Sequence, residues 1–117
     1  MGDLNMDKLS LYRQHICNLL LKRAEQGSSN ANLELQAILD QERDHYQLVC
    51  TGWKDPNTHV YGCIVHLDIK NGKIWVQYDG TEEGVAEQLA ALGVPRQEIV
   101  LAYHPPHVRP YTNFAVG

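Results

Sequence analysis

The chain has 117 residues, 44% of them hydrophobic and 21% charged, so it is expected to fold as one globular domain, residues 1–117, around a single core. Net charge is −4 and the ten Lys and Arg are scattered, with Lys22-Arg23 the only adjacent pair; such a surface repels phosphate backbones and argues against a basic nucleic-acid-binding stripe. No apolar run reaches the roughly 18 residues of a membrane span, no secretory leader opens the chain, and three cysteines at unrelated spacings give neither a zinc pattern nor a disulfide framework; together these predict a cytoplasmic protein.

Met1 to Asn5 precede any periodic pattern and are expected to be flexible. From Met6 to Glu25, Leu9, Tyr12, Ile16, Leu19, Leu20 and Ala24 recur three or four apart, which predicts a helix with one apolar stripe. Asn5 or Asp7 suits its start, Lys22-Arg23 the negative end of its dipole, and Gly27-Ser28-Ser29-Asn30 its stop.

Leu33 to Leu39 alternates apolar with polar and reads as a first strand. The polar run Asp40 to Asp44 turns the chain into a second strand, Tyr46 to Trp53. The loop Lys54-Asp55-Pro56-Asn57 leads to a third, His59 to Lys70. Asn71-Gly72 is a strong two-residue hairpin signal, and a fourth strand, Lys73 to Tyr78, follows it. That turn pairs Ile69 with Ile74, Leu67 with Val76 and Val65 with Tyr78. One face then carries Val65, Leu67, Ile69, Ile74, Val76 and Tyr78, continued by Tyr46, Leu48 and Cys50. The opposite face carries Gln47, Val49, Thr51, Ile64, His66, Asp68, Trp75 and Gln77. Val49, Ile64 and Trp75 would make a bare apolar patch there, so either the tail or a second subunit is expected to cover it.

Thr81 is placed to cap a second helix, with Glu82-Glu83 in its first turn, Val85, Ala86, Leu89 and Leu92 on its buried side, and Gly93 and Pro95 stopping it. Ile99 to Tyr103 reads as a fifth strand. Residues 104–117 are too rich in proline for regular structure, and Phe114-Ala115-Val116 is expected to dock. The expected architecture is α+β: an N-terminal helix, a curved antiparallel sheet of four to five strands built from hairpins, and a second helix after strand four.

Candidate chemistry is sparse. His104 and His107 with His66 and Asp68 have the residue types of a histidine-carboxylate metal site. Nothing in the sequence joins those elements, and alternating His and Asp are ordinary on an exposed strand, so no metal ligand, cofactor or catalytic residue is assigned. Glu42-Arg43-Asp44-His45 reads as a solvated turn with local ion pairs rather than an acid–base site. Cys63 and Cys50 fall by parity on the buried face, opposite one another if the Pro56-Asn57 loop is symmetric. Asp79-Gly80-Thr81 offers helix-terminal N–H groups to an anion, but Glu82 and Glu83 oppose one. Val49, Ile64, Trp75, Trp53 and Tyr111 are the candidates for a protein interface, where buried Trp and Tyr are enriched.

Glu42-Arg43-Asp44-His45-Tyr46-Gln47-Leu48-Val49, Gly52-Trp53, the run Val60 to Lys70, Gly80-Thr81-Glu82-Glu83, Leu92-Gly93-Val94-Pro95 and the closing Phe114-Ala115-Val116-Gly117 together resemble the XisI family, the fdxN element excision controlling factors. The resemblance spans about Met6 to Gly117. It implies a non-catalytic accessory role in site-specific excision of a DNA element during heterocyst differentiation in cyanobacteria, exerted on a recombinase and its DNA through a XisH-like companion. It brings no catalytic residues. A homo-oligomer, a two-fold dimer with Trp75 and Ile64 near the contact, is expected. The alternatives are direct DNA binding, or a metal-dependent hydrolase or nuclease using His66, Asp68, His104 and His107.

Overall fold

A computed structural model describes residues 4–117, with side chains from residue 8 onward. Of the stretch Met1 to Asn5 expected to be flexible, residues 1–3 lie outside the described residues, whereas Leu4 and Asn5 already belong to the first helix, which places Asn5 and Asp7 inside it rather than at its cap.

The described residues form α1 (Leu4–Gln26), β1 (Leu33–Asp40), β2 (His45–Asp55), β3 (Thr58–Lys70), β4 (Lys73–Asp79), α2 (Val85–Ala91) and β5 (Ile99–Leu101). The strands make one sheet in the order β1-β2-β3-β4-β5. Its first four strands are antiparallel neighbours joined by hairpins, as expected. β5 pairs with β4 in parallel, because α2 carries the chain back across the sheet before it begins. It is also shorter than the run Ile99 to Tyr103 suggested.

Both helices lie on one face of the sheet and seal the core. Tyr12, Ile16, Cys17 and Leu20 of α1 and Val85, Ala86 and Leu89 of α2 meet Leu35, Tyr46, Leu48, Val65, Leu67, Ile74, Val76, Ile99 and Leu101, with Phe114 of the tail closing one end. Burial of each large aliphatic side chain here contributes about 1.5–3 kcal/mol. The Asn71-Gly72 turn has φ of 54° and 75°, the paired left-handed conformation of a type I′ hairpin, and the register next to it is the expected one.

Further from that turn, three residues lack a ladder partner and shift the register: Lys54 between the pairs Trp53↔His59 and Asp55↔Thr58, Ile64 between Val49↔Cys63 and Leu48↔Val65, and Gln77 between His66↔Tyr78 and Leu67↔Val76. Each bulge exchanges faces for the residues beyond it. Tyr78 is therefore half exposed and shares a face with His66 rather than with the core. Ile64 joins the helix side and packs on the main core, while Cys63 is exposed. Cys50 opposes Gly62, not Cys63, and is only partly buried. The carbonyl of Ile64 accepts a 2.7 Å bond from the N–H of Gly80, tying this bulge to the end of β4.

The second helix begins three residues later than Thr81 as cap requires. Its N-cap is Gly84, which makes no side-chain cap bond. Asp79 does that work from outside the helix. Its carboxylate accepts from the N–H of Thr81 at 2.9 Å and its hydroxyl at 2.6 Å, and from the N–H of Val85 at 2.8 Å. Thr81 Oγ1 accepts in turn from the N–H of Gly84. Residues 80–84 are thus held as a side-chain-bonded turn, which competes with helix. Ending at Ala91, α2 leaves Leu92 half exposed instead of buried.

Candidate functional site

The second sheet face, away from the helices, is read from the register row by row. Ile38 lies beside Gln47, His66 and Tyr78; Gln36 beside Val49 and Cys63; Glu34 beside Thr51 and Tyr61; Trp53 beside His59. At the other end Asp40, His45, Asp68, Trp75 and Val100 form one row across all five strands.

The tail covers that far end. Ala115 bridges to Val100 in parallel, and its N–H donates to the carbonyl of Ile99 at 2.8 Å. Arg109 holds the tail by donating to the carbonyls of His104, Val116 and Ala102, and its guanidinium lies 5.7 Å from the ring centroid of Trp75. The ammonium of Lys70 sits over the same ring at 4.0 Å, and the indole N–H donates to the carbonyl of Lys70. Phe114 and Ala115 dock as expected; Val116 does not and stays exposed, and Tyr111 projects almost wholly into solvent.

Beyond the reach of the tail the face is open. Ile38, Trp53, Tyr61 and Tyr78 keep 46%, 54%, 72% and 51% of their surface, although Trp53 stacks at a tilt on His59 with ring centroids 4.9 Å apart. Val49 is buried between them. Of the sequence candidates for an interface, Val49 and Trp53 belong to this stripe, Trp75 lies under the tail, and Ile64 is on the other side of the sheet. Tyr61, Tyr78 and Ile38 join the stripe as well; the bulges at Ile64 and Gln77, which parity does not register, bring the two tyrosines onto this side.

Next to the stripe, Asp68 gathers three side chains. Its Oδ1 lies 2.7 Å from His45 Nδ1 and 2.9 Å from His66 Nε2, and its Oδ2 accepts from Gln77 Nε2 at 3.2 Å. Burial pushes the Asp68 carboxyl upward, but bonding to the two imidazoles outweighs it and holds the group below the usual carboxylate range. Neither His104 nor His107 belongs to this group; His104 stacks at a tilt on Tyr103 instead. His45 was missed as a neighbour of Asp68. The signal existed: a symmetric Pro56-Asn57 turn pairs residue 45 with 68, and the bulges at Lys54 and Ile64 cancel, so the pair survives.

The charged turn before β2 is less local than expected. Arg43 does pair with Asp40, but Asp44 reaches α1, where Arg13 donates to both of its carboxylate oxygens at 2.8 and 3.0 Å and Tyr46 adds a third bond at 2.7 Å. Partial burial raises the Asp44 carboxyl, and these bonds bring it below its ordinary value. Glu98 is held low in the same way by Lys8 and Tyr12, against its own burial. These pairs fasten α1 to the sheet. The N–H groups after Asp79 are already bonded to its carboxylate and to Thr81, which leaves little for a bound anion. A groove of ≈ 700 Å³ runs between α1 and α2, walled by His15, Leu19, Ile64, Gln88 and Leu92 among others.

The XisI protein family model matches residues 6–116. A XisI-like protein of Anabaena variabilis ATCC 29413, solved by crystallography, is 41% identical with a TM-score of 0.86, covering 93% of this chain and 99% of its own. The crystal structure of the fdxN element excision controlling factor XisI from the same organism is 33% identical with a TM-score of 0.80, covering 94% of this chain and 99% of its own. Among curated proteins none matches the chain.

Proposed function

The chain belongs to the XisI family, and from that premise we propose that it is an accessory factor controlling excision of a DNA element, acting by binding proteins rather than by catalysis. The observation that carries this reading is the open stripe of Ile38, Trp53, Tyr61 and Tyr78 beside buried Val49. Exposed aromatics grouped on a rigid sheet are what a protein interface core is made from, and the tail leaves this stretch free. In the isolated chain the stripe seats a second copy about a two-fold axis. In the working assembly it seats a XisH-like companion in the cytoplasm, which brings the recombinase and DNA. A net charge of −4 fits a factor whose contact with DNA is made through a partner.

The test is co-purification. A tagged chain should retain a coexpressed XisH-like protein, and Tyr61→Glu together with Trp53→Ser should release it. Loss of the companion from both forms, or equal retention by both, removes the basis of the reading. Retardation of duplex DNA by the chain alone at low salt would point instead to direct binding.

A further inference from the structure

His66 lies in the row that joins Ile38 to Tyr78, His45 and Asp68 lie in the row beyond it, and protein binding does not account for the bonds that gather the three. The donor atoms of the three side chains lie within 4.8 Å of one another. We propose that they bind a divalent transition-metal ion of the zinc or cobalt class, which favours imidazole nitrogen with carboxylate oxygen.

Rigid strands set the geometry. His45 and Asp68 are direct partners across β2 and β3, and His66 lies two residues from Asp68 on the same side of β3. In a tetrahedral zinc site with bonds near 2.0–2.1 Å, ligand atoms stand about 3.3 Å apart. The two nitrogens now lie 2.7 and 2.9 Å from Asp68 Oδ1 and within 4.8 Å of each other, so an ion requires each to retreat from the carboxylate by about half an ångström while the two rings close toward the same spacing. His45, an exposed ring, can make that movement by a small side-chain rotation. The carboxylate is the fixed member. It is mostly buried, and Gln77 holds its Oδ2 so that Oδ1 is directed at the imidazoles, the outer support that ligand carboxylates normally have. Three protein ligands leave a fourth coordination position toward solvent on the His45 side.

The experiment is titration of chelator-treated full chain with zinc by calorimetry and with cobalt(II) by visible absorption. One ion per chain is expected, with a tetrahedral cobalt spectrum and a raised melting temperature. His45→Gln, at an exposed position, and Asp68→Asn should each weaken binding at least about 100-fold, and Gln77→Ala about 10-fold, as an outer-support residue does. His104→Ala with His107→Ala should bind as the parent does. Absence of stoichiometric binding by the parent overturns the proposal. So does binding unchanged in His45→Gln, or lost only in the His104/His107 pair.

Discussion

Gly52 offers a sharp test of how β1 meets β2. Its φ is 145°, a conformation L side chains rarely adopt, and a Cβ there would lie 2.4 Å from the carbonyl oxygen of Asn32 and 3.1 Å from Leu33 Cα. Both neighbours are backbone at the start of β1, and Leu33 is the ladder partner of Gly52, so neither can move without shifting the strand. Gly52→Ala therefore combines backbone strain of about 1–3 kcal/mol with overpacking of about 1–3 kcal/mol. A total of about 3 kcal/mol, at about 4 °C per kcal/mol for a chain of this length, lowers the melting temperature by about 12 °C. Gly62→Ala on β3 is the control: nothing lies within 4 Å of its Cβ position, and the change should stay within about 0.5 kcal/mol. Thermal unfolding followed by circular dichroism separates the two. A fall of less than about 4 °C for Gly52→Ala, or equal falls for both, would refute the close approach of Asn32 to β2.

Asp79→Ala removes the acceptor for three bonds and should cost about 2–3 kcal/mol in urea unfolding, whereas Thr81→Ala leaves the Val85 bond intact and should cost about 1 kcal/mol; the reverse order would restore Thr81 as the cap. Acid should weaken the attachment of α1. The Asp44 and Glu98 carboxyls are lowered by folding, so their contribution is complete above the unfolded carboxyl range near pH 4 and is lost as pH falls through the folded values. Asp44→Asn should then lose less stability between pH 7 and pH 3 than the parent does; an equal or greater loss contradicts this. Tyr61→Glu, at a position 72% exposed, should leave the melting temperature within about 2 °C while converting a dimer to a monomer by light scattering at micromolar concentration. A monomeric parent would remove the self-association.

Much of this architecture was legible because the local signals agree. The spacing from Leu9 to Ala24 marks α1 and its buried side, and Asn71-Gly72 fixes the β3–β4 register for the residues nearest it. Legibility fails at the bulges. A single extra residue at Lys54, Ile64 or Gln77 changes which side its neighbours face, and none of the three is a glycine or proline that would announce it. That is why Tyr78 and Cys63 leave the core face and Ile64 enters it. The start of α2 is hidden for a different reason: Asp79, outside the helix, satisfies the amides that local spacing assigns to Thr81. The pairing of His45 with Asp68 was recoverable from turn symmetry, since two bulges compensate. The bonds from Arg13 to Asp44 and from Tyr12 to Glu98 join residues far apart in the chain, and no spacing rule reaches them.

Amide hydrogen exchange on the chain with and without a XisH-like companion tests the central claim most directly. Slowed exchange should fall on β1 around Ile38 and on the β2–β3 hairpin from Trp53 to Tyr61, with α1 and α2 unchanged. Protection centred on the groove between the two helices, or none at saturating companion, would contradict the assignment of the open sheet face as the binding surface.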